Sequence, residues 1–459
     1  MERSVLEEAI YNRYIVPTRR KRTRLAGLEF ELPLVNRKKE PVNFEVIHQV
    51  TGRFIDAFSF SNISRDDDGN IYLAVDDRTG DGLSYDCSYN TLEFSFGKEE
   101  DMNVLYKRFC QYYTYIQKEL RKEGHMLTGM GINPRYAVNQ NIPVVSERYR
   151  MLLHHLSSYK KYGNSIPFHT YPNFGLFSCA SQIQLDVEEQ QIVPMLNTFT
   201  KLEPFKSLIL ANSLWGENAE ILCSRDNFWR NSLHGLNRHN VDMYNITFDT
   251  TDEIVRYIKS MSLYCVEREG KYINFPPMIL SKYFSSDRVK GEYFDGNEYR
   301  EITFHPEISD LQYLRSFKFE DLTFRGTVEF RSICEQPVGE IMASGALHAG
   351  LMENVEALSE ILEKDTSIYH NGYNASELRR MFNRQKKADI FNWKKVSSQL
   401  VSIVELAEDG LKKRGYGEEH FIKPLYPRAE KLLSPGRQMA EGMANGKSLE
   451  DYIEEYGGL

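Results

Sequence analysis

Four short segments of the chain alternate apolar and polar side chains, a pattern typical of β-strands with one buried face. In the first, residues 27–32, Glu29 and Glu31 share one face and three apolar residues occupy the other. Two carboxylates at this spacing stand about 7 Å apart. Beside a buried face they repel each other and lose hydration, which raises the pKa of at least one carboxyl unless a cation compensates. A hard divalent cation with oxygen ligands is the natural compensation.

The other three segments have the same design. The polar faces of residues 91–96, 179–187 and 327–332 carry Glu93, Gln182, Gln184, Asp186, Glu329 and Arg331. Asp86 differs in parity from Glu93, so we expect it on a loop or bulge at the rim of that strand. Each strand alone is also typical of a half-exposed strand in an antiparallel sheet. Together their polar faces are dominated by Glu and Gln and avoid Lys, which favours convergence into a cradle for several Mg²⁺ ions, as phosphoryl transfer from ATP requires.

Charge and cysteine usage exclude several classes of protein. With 57 Lys plus Arg against 65 Asp plus Glu, the net charge is −8, so a global basic field for nucleic acid is absent. The dense basic run at residues 19–24 is read as a solvated approach to the first strand. The six cysteines show no C-x-x-C spacing, and no run of about 18 apolar residues predicts a membrane span. We therefore expect a cytoplasmic protein that binds neither nucleic acid nor membrane.

The pattern changes along the chain. Helical periodicity predicts helices near residues 44–58, 102–123, 144–159 and 188–215, between the strand segments. The last part is almost entirely helical in pattern, with helices predicted over 338–364, 393–413 and, interrupted by Gly, 436–456. We therefore expect a mixed catalytic region at 1–337 and a helical C-terminal region at 338–459 that packs on it.

These motifs, in this order, resemble the glutamate–cysteine ligase (γ-glutamylcysteine synthetase) family. The matching elements are the G-x-E-x-E strand at 27–31, Asp86 followed seven residues on by Glu93, the polar strand 182–186, the S-R-x segment 224–230 and the E-x-R strand 329–331. The resemblance implies an α+β fold with a glutamine-synthetase-like, curved antiparallel β-sheet funnel flanked by helices. One departure is the sequence after Arg331, where Ser332-Ile333-Cys334-Glu335 stands in place of the G-A-D or similar of many members. It leaves the second substrate open.

The resemblance also implies a reaction and a set of site residues. ATP would phosphorylate the γ-carboxylate of L-glutamate, and the amine of L-cysteine, or another amine, would displace phosphate to form an amide. The expected ligands of two or three Mg²⁺ ions are Glu29, Glu31, Glu93, Glu329, Gln182 and Asp86. Arg331 and Glu329 are the expected catalytic residues. Arg225, Arg230, Gln184 and Trp229 are the expected contacts of substrate or ATP.

Other readings remain open at this point. A carboxylate–amine ligase with a different amine shares the fold and the metal motif. A guanidino phosphotransferase has a related sheet, but its reactive-Cys loop pattern is not evident here. A non-catalytic protein on the same fold predicts broken metal motifs, whereas the whole proposed carboxylate set is present. The expected state is a monomer or a homodimer.

Overall fold

The structure is a computed structural model that describes residues 3–162, 168–216 and 220–459. The strands are β1 (Ala26–Asn36), β2 (Asn62–Arg65), β3 (Ile71–Val75), β4 (Gly82–Tyr85), β5 (Thr91–Ser95), β6 (His125–Leu127), β7 (Ser181–Asp186), β8 (Val241–Asp242), β9 (Ser262–Arg268), β10 (Lys271–Ile279), β11 (Val289–Phe294), β12 (Tyr299–Phe304), β13 (Phe317–Lys318), β14 (Glu320–Leu322) and β15 (Thr327–Phe330). The helices are α1 (Val5–Tyr14), α2 (Phe44–Phe58), α3 (Met102–Lys122), α4 (Glu147–Ser157), α5 (Glu189–Leu210), α6 (Ser224–Arg230), α7 (Thr251–Lys259), α8 (Leu280–Ser285), α9 (Ala343–Met352), α10 (Val355–Glu363), α11 (Ala375–Phe382), α12 (Trp393–Arg414), α13 (Leu425–Lys431), α14 (Pro435–Ala444) and α15 (Leu449–Tyr456).

The main sheet is antiparallel throughout and is built around β1. Its strand order is β14-β15-β7-β1-β5-β4-β3-β2, with β6 paired to the far end of β1. A second antiparallel sheet has the order β12-β11-β10-β9, and the short strands β8 and β13 pair in parallel. The α+β class with an antiparallel sheet and flanking helices, expected from the sequence, is confirmed.

The apolar face of β1 is buried, as its alternation predicts. Leu28, Phe30 and Leu32 are at most 1% exposed, and the Phe30 ring meets Phe109 of α3 edge-on at 5.4 Å between centroids. Helix α9 crosses the same face at Gly345, where an added Cβ would lie 3.0 Å from Leu28. Burial of large apolar side chains between sheet and helices therefore fixes which face of β1 is left for polar groups.

The strand and helix predictions of the first part of the chain are confirmed with small shifts at the ends. The four alternating segments form β1, β5, β7 and β15, and the four helical segments form α2, α3, α4 and α5. In the C-terminal part, residues 393–413 form α12 as expected.

The other two C-terminal stretches are each divided into two helices. Residues 338–364 form α9 and α10, because Asn354 leaves the helical conformation and donates through its side chain to the Leu406 carbonyl of α12. Residues 436–456 form α14 and α15, because Gly446 has a positive φ of 93° and Ser448 caps the second helix. Polar and glycine breaks of this kind outweigh the helix propensity of their neighbours.

One hydrophobic cluster includes residues from both sides of the predicted boundary at 337/338. It contains Phe30 and Ile183 of the sheet together with Ala346 of α9 and Val404 of α12. The division of the chain into a catalytic and a C-terminal region stays a prediction. No helix among the described residues has the length and apolar character needed to cross a membrane.

Helices α9 and α12 approach each other through a pair of glycines. A Cβ added at Gly410 would overlap the backbone carbonyl of Gly350, and one at Gly350 would overlap that of Ala407. We expect Gly410→Ala to lower the free energy of unfolding by about 1–3 kcal/mol, because the helices must separate to admit the methyl group. Chemical denaturation measures this directly.

The matched control is Gly52→Ala in α2, where an added Cβ meets nothing within 4 Å. This variant should gain about 0.5–1 kcal/mol from helix propensity. Equal effects of the two substitutions would contradict the close crossing.

Candidate active site

The strand register brings the predicted polar residues onto one face of the main sheet. It pairs Glu31 with Glu93 across β1 and β5, Glu29 with Gln182 across β1 and β7, and Gln184 with Glu329 across β7 and β15. Directly opposed residues of neighbouring strands point to the same side. The acidic and amide side chains therefore form a continuous floor across four strands, opposite the apolar face packed on helices.

A cavity of about 560 Å³ lies over this floor. The sequence-predicted residues that line it are Glu29, Glu31, Asp86, Glu93, Gln182, Arg225, Trp229, Glu329 and Arg331. Gln184 does not belong to the described lining, but its Nε2 donates to two lining acids, Glu29 and Glu329. The remaining candidate, Arg230, lies elsewhere.

One group of carboxylates has the spacing of a metal site. Oxygen atoms of Glu31, Asp86 and Glu93 all lie within 4.8 Å of one another. Asp86 reaches this group from the loop between β4 and β5, as its parity predicts. The Gln182 side-chain oxygen is buried and has no hydrogen-bond partner among the described residues, so it is one more oxygen available to a cation. A set of three carboxylates and an amide oxygen fits Mg²⁺, which prefers hard oxygen ligands.

Hydrogen bonds hold Glu31 in place from the neighbouring strand. One of its oxygens accepts from the backbone N–H of Ala180 at 2.6 Å, and the other accepts from Nε2 of Gln182 at 2.9 Å. Each carboxylate oxygen has a second lone pair, which is left for a cation. The geometry of the acid is thus set before any ligand binds.

The floor is electrostatically strained. Burial, and then the negative charge of Asp86, raise the pKa of Glu31. Burial, and then Glu29 and Asp86, raise the pKa of Glu93 well above its ordinary value. Burial and the nearby Glu329 raise the pKa of Glu29. Removal of water from several like charges at close range disfavours their ionised forms, and a divalent cation relieves this.

A second group lies toward β15. Arg331 donates from Nη1 to Glu329 at 2.8 Å. Gln184 donates from Nε2 to Glu329 at 3.2 Å and accepts from Nε of Arg325 at 3.0 Å. Gln184 therefore orients the acid and an arginine at once, while the Arg331 guanidinium keeps donors for an anion in the cavity.

Helix α6 separates the two arginines that the sequence grouped together. Arg225 is 6% exposed, lines the cavity and donates to the Ile333 carbonyl at 3.0 Å. Arg230 instead forms an ion pair with Asp242 and a hydrogen bond to Ser376, and it does not belong to the described lining of the cavity. Five residues along a helix turn the side chain by about 140°, so one helix cannot aim both at the same place.

Trp229 forms part of an aromatic wall. Its ring stacks on Phe317 at 4.2 Å between centroids and meets Phe174 edge-on at 4.8 Å. All three rings line the cavity. They give one side of the cavity a flat apolar surface.

The sequence analysis did not predict several charged residues of the cavity: Arg148, Asp226, Arg315, Asp321 and Arg325. Asp321 lies opposite Glu329 across the β14–β15 hairpin, and burial raises its pKa to about 7. The turn residue Gly326, with a φ of 75°, was a usable signal, because a tight turn there predicts this pairing. Arg148 and Arg315 carry no comparable signal, since they come from α4 and from an irregular segment before β13.

The basic run near the N-terminus is largely engaged by acids. Arg20 pairs with Asp186 at 2.8 Å, and Arg22 and Arg24 both pair with Glu353 of the C-terminal region at 2.8 Å. Asp186, on the polar face of β7, is thereby used to anchor the segment before β1.

The fold and cavity define an α+β protein with an acidic sheet floor and arginine-bearing walls. Comparison with known sequences is specific: residues 25–455 match the family described as Glutamate-cysteine ligase family 2 (GCS2). The chain belongs to this family, as its motifs indicated.

Curated relatives are plant proteins at low identity. Glutamate–cysteine ligase A, chloroplastic, of Oryza sativa subsp. indica is 24% identical over 332 residues, which cover 69% of this chain and 60% of the relative. Glutamate–cysteine ligase, chloroplastic, of Nicotiana tabacum is 21% identical over 358 residues, covering 75% of this chain and 63% of the relative. The chain thus matches about 60% of the length of these relatives.

A solved structure shares the fold. The bifunctional glutathione synthetase from Pasteurella multocida superposes with a TM-score of 0.50 at 10% sequence identity, covering 99% of this chain and 53% of that chain. At this identity the likeness concerns the fold alone.

The strained acidic floor predicts how a divalent cation acts on stability. We expect Mg²⁺ to raise the melting temperature of the parent protein and to leave that of Glu93→Gln nearly unchanged, because the variant lacks one of the three clustered carboxylates. Without Mg²⁺ the variant should be no less stable than the parent, since the site already favours the neutral form of this side chain. Thermal unfolding with and without Mg²⁺ tests both points.

Glu405→Gln on the exposed surface of α12 is the control, and it should respond to Mg²⁺ as the parent does. A Mg²⁺ response of Glu93→Gln equal to that of the parent would remove Glu93 from the metal site.

Proposed function

We propose that this protein is an ATP-dependent glutamate–cysteine ligase, which joins the γ-carboxyl of L-glutamate to the amine of L-cysteine and serves the first step of glutathione biosynthesis. Family membership over residues 25–455 supports the reaction class. The observation that carries the proposal is the register of β1, β5, β7 and β15, which gathers four glutamates and two glutamines on the floor of one cavity. Asp86 joins them from its loop.

The residues that fit as ligands of two or three Mg²⁺ ions are Glu29, Glu31, Glu93, Glu329, Gln182 and Asp86. When bound, the ions would offset the charge that develops on the transferred phosphoryl group. Strained carboxylates suit this task, because a group whose ionised form is disfavoured gains most from a cation.

The first chemical step moves the terminal phosphoryl group of ATP. A γ-carboxylate oxygen of glutamate forms a bond to phosphorus, the bond to the bridging oxygen of ADP breaks, and γ-glutamyl phosphate results. Arg331, held by Glu329, is proposed to donate to the transferred phosphoryl oxygens. Arg225 is proposed to bind a carboxylate or a phosphate, and Trp229 to pack against the bound substrate or nucleotide.

The second step forms the amide. The amine nitrogen attacks the acyl carbon, the C–O bond to phosphate breaks, and the amine loses a proton. Water would hydrolyse the acyl phosphate, so the proposed reaction requires the cavity to limit the access of water to this intermediate. Catalysis of this kind depends mainly on position and on preorganised charge.

The accepting amine is the open part of the proposal, since the segment after Arg331 departs from the common family pattern. Phosphate release from ATP should require Mg²⁺ and L-glutamate, and L-cysteine or its thiol-free isostere L-2-aminobutyrate should stimulate it most. Glycine, putrescine and buffer alone complete the panel, and mass spectrometry identifies the product. Stimulation by another amine reassigns the substrate, and absence of release with every amine contradicts the ligase.

Two of the three arginines that the sequence predicts in the site, Arg331 and Arg230, can be distinguished by kinetics. Arg331→Lys should lower kcat about 100-fold or more, because a lysine cannot bond Glu329 and an anion with the same fork. Arg230→Lys should stay within about threefold of the parent, since its ion pair with Asp242 needs charge alone. Similar losses in both variants would contradict the assignment of Arg331 to the transferred group.

The cytoplasmic location and the monomeric or homodimeric state remain predictions from the sequence. Fractionation of cells and size-exclusion chromatography with light scattering would test them.

A further inference from the structure

A buried arginine of the C-terminal region lies directly behind two walls of the cavity. Arg379 of α11 is 4% exposed, and its guanidinium lies over the ring of Phe319. Phe319 itself lines the cavity. The matched motifs end at Arg331, so no motif predicted a role for Arg379.

All five N–H donors of Arg379 find oxygen acceptors. Nε and Nη2 bind the two carboxylate oxygens of Asp226 at 2.7 and 3.2 Å. Nη1 binds the side chain and the backbone carbonyl of Glu203, at 2.5 and 3.1 Å. Nη2 also binds the Ser332 carbonyl at 3.2 Å. One side chain therefore connects α11, α5, α6 and the segment after β15.

Two of those connections lie next to the proposed substrate-binding arginines. Asp226 follows Arg225 in α6, and Ser332 follows Arg331. Arg225 in turn donates to the Ile333 carbonyl at 3.0 Å, so the two segments are tied to each other on the cavity side and through Arg379 from behind. The Arg379 fork therefore connects the two segments that carry Arg225 and Arg331.

Arg379 also balances the negative charge of Asp226 in the cavity lining. Asp226 lines a cavity that has to accept anionic substrates, and an unpaired carboxylate there would repel them or compete for Arg225. The bidentate bond from Arg379 pairs the charge of Asp226 and engages both of its carboxylate oxygens. Asn383 adds a further donor to the same carboxylate at 2.6 Å.

A purely stabilising role accounts poorly for this arrangement. Buried ion pairs contribute little net stability, because desolvation offsets most of their attraction. What the fork supplies is a fixed geometry between segments distant in sequence, which apolar packing would not define as sharply. We propose that Arg379 is a positioning residue that holds Arg225 and Arg331 at their working separation, so that the helical C-terminal region completes the active site. This inference rests on the proposed function.

The test compares Arg379→Lys with a matched buried arginine. Arg428 of α13 is 8% exposed and binds the Ile209 carbonyl at 3.0 Å and the Gln336 side chain at 2.8 Å, and it does not belong to the described lining of the cavity. Both lysine variants keep the charge and lose the fork, so both should lower the melting temperature.

Kinetics separate the two variants. Arg379→Lys, with rates corrected for the folded fraction, should raise the KM for ATP or glutamate at least 10-fold and lower kcat. Arg428→Lys should leave both within about threefold. Equal kinetic constants in the two variants would overturn the inference and give Arg379 a structural role only.

A second variant keeps the inference testable if Arg379→Lys does not fold. Asn383→Ala removes one donor from Asp226 and should raise the same KM about 3- to 10-fold. An unchanged KM in that variant contradicts the inference.

Binding of a fluorescent ATP analogue with Mg²⁺ distinguishes failure of the inference from failure of the proposed function. If the parent protein binds the analogue but joins no amine to glutamate, the proposed ligase function is contradicted. In that case weaker binding in Arg379→Lys than in Arg428→Lys still supports positioning, and equal binding overturns it.

Discussion

The rest of the structure depends on the two unlike faces of β1. One face buries Leu28, Phe30 and Leu32 against helices, and each such side chain contributes about 1.5–3 kcal/mol. The other face presents Glu29 and Glu31, whose pKa values are raised because burial and like charge disfavour ionisation. The free energy gained by burying the apolar face therefore holds Glu29 and Glu31 at positions where their ionised forms are disfavoured. Strain of this kind is typical of functional sites, where a protein gives up stability for a prepared charge distribution.

The alternation of side chains could be predicted because it is a local property of the chain. The faces of Glu29 and Glu31 follow from a period of two residues, and so does the position of Asp86 off the strand. The register could not be predicted in this way. That Glu31 lies opposite Glu93, and Gln184 opposite Glu329, depends on strand pairing between segments far apart in sequence.

Local sequence patterns also could not predict where side chains on short helices and irregular segments point. Arg225 and Arg230 lie in one seven-residue helix, yet packing of α6 aims the first at the cavity and the second at Asp242. Arg148 and Arg315 enter the cavity from elements with no diagnostic spacing. In the C-terminal region, propensity predicted helices but not their division at Asn354, which depends on a side-chain contact with α12.

Given the proposed function, the distribution of charge in the cavity indicates which lining residues select the amine substrate. The acidic floor and the arginine walls suit the metal, the nucleotide and the glutamate. The segment that departs from the family pattern, residues 332–335, is at most 3% exposed, and Ser332 is its one member in the described cavity lining. Cys334 and Glu335 do not belong to the described lining of the cavity, so at these two positions the departure changes the surroundings of Arg331 rather than a lining side chain. Given the proposed function, selectivity for the amine then depends on other lining residues, among which Trp229, Phe317 and Phe174 offer shape and apolar contact.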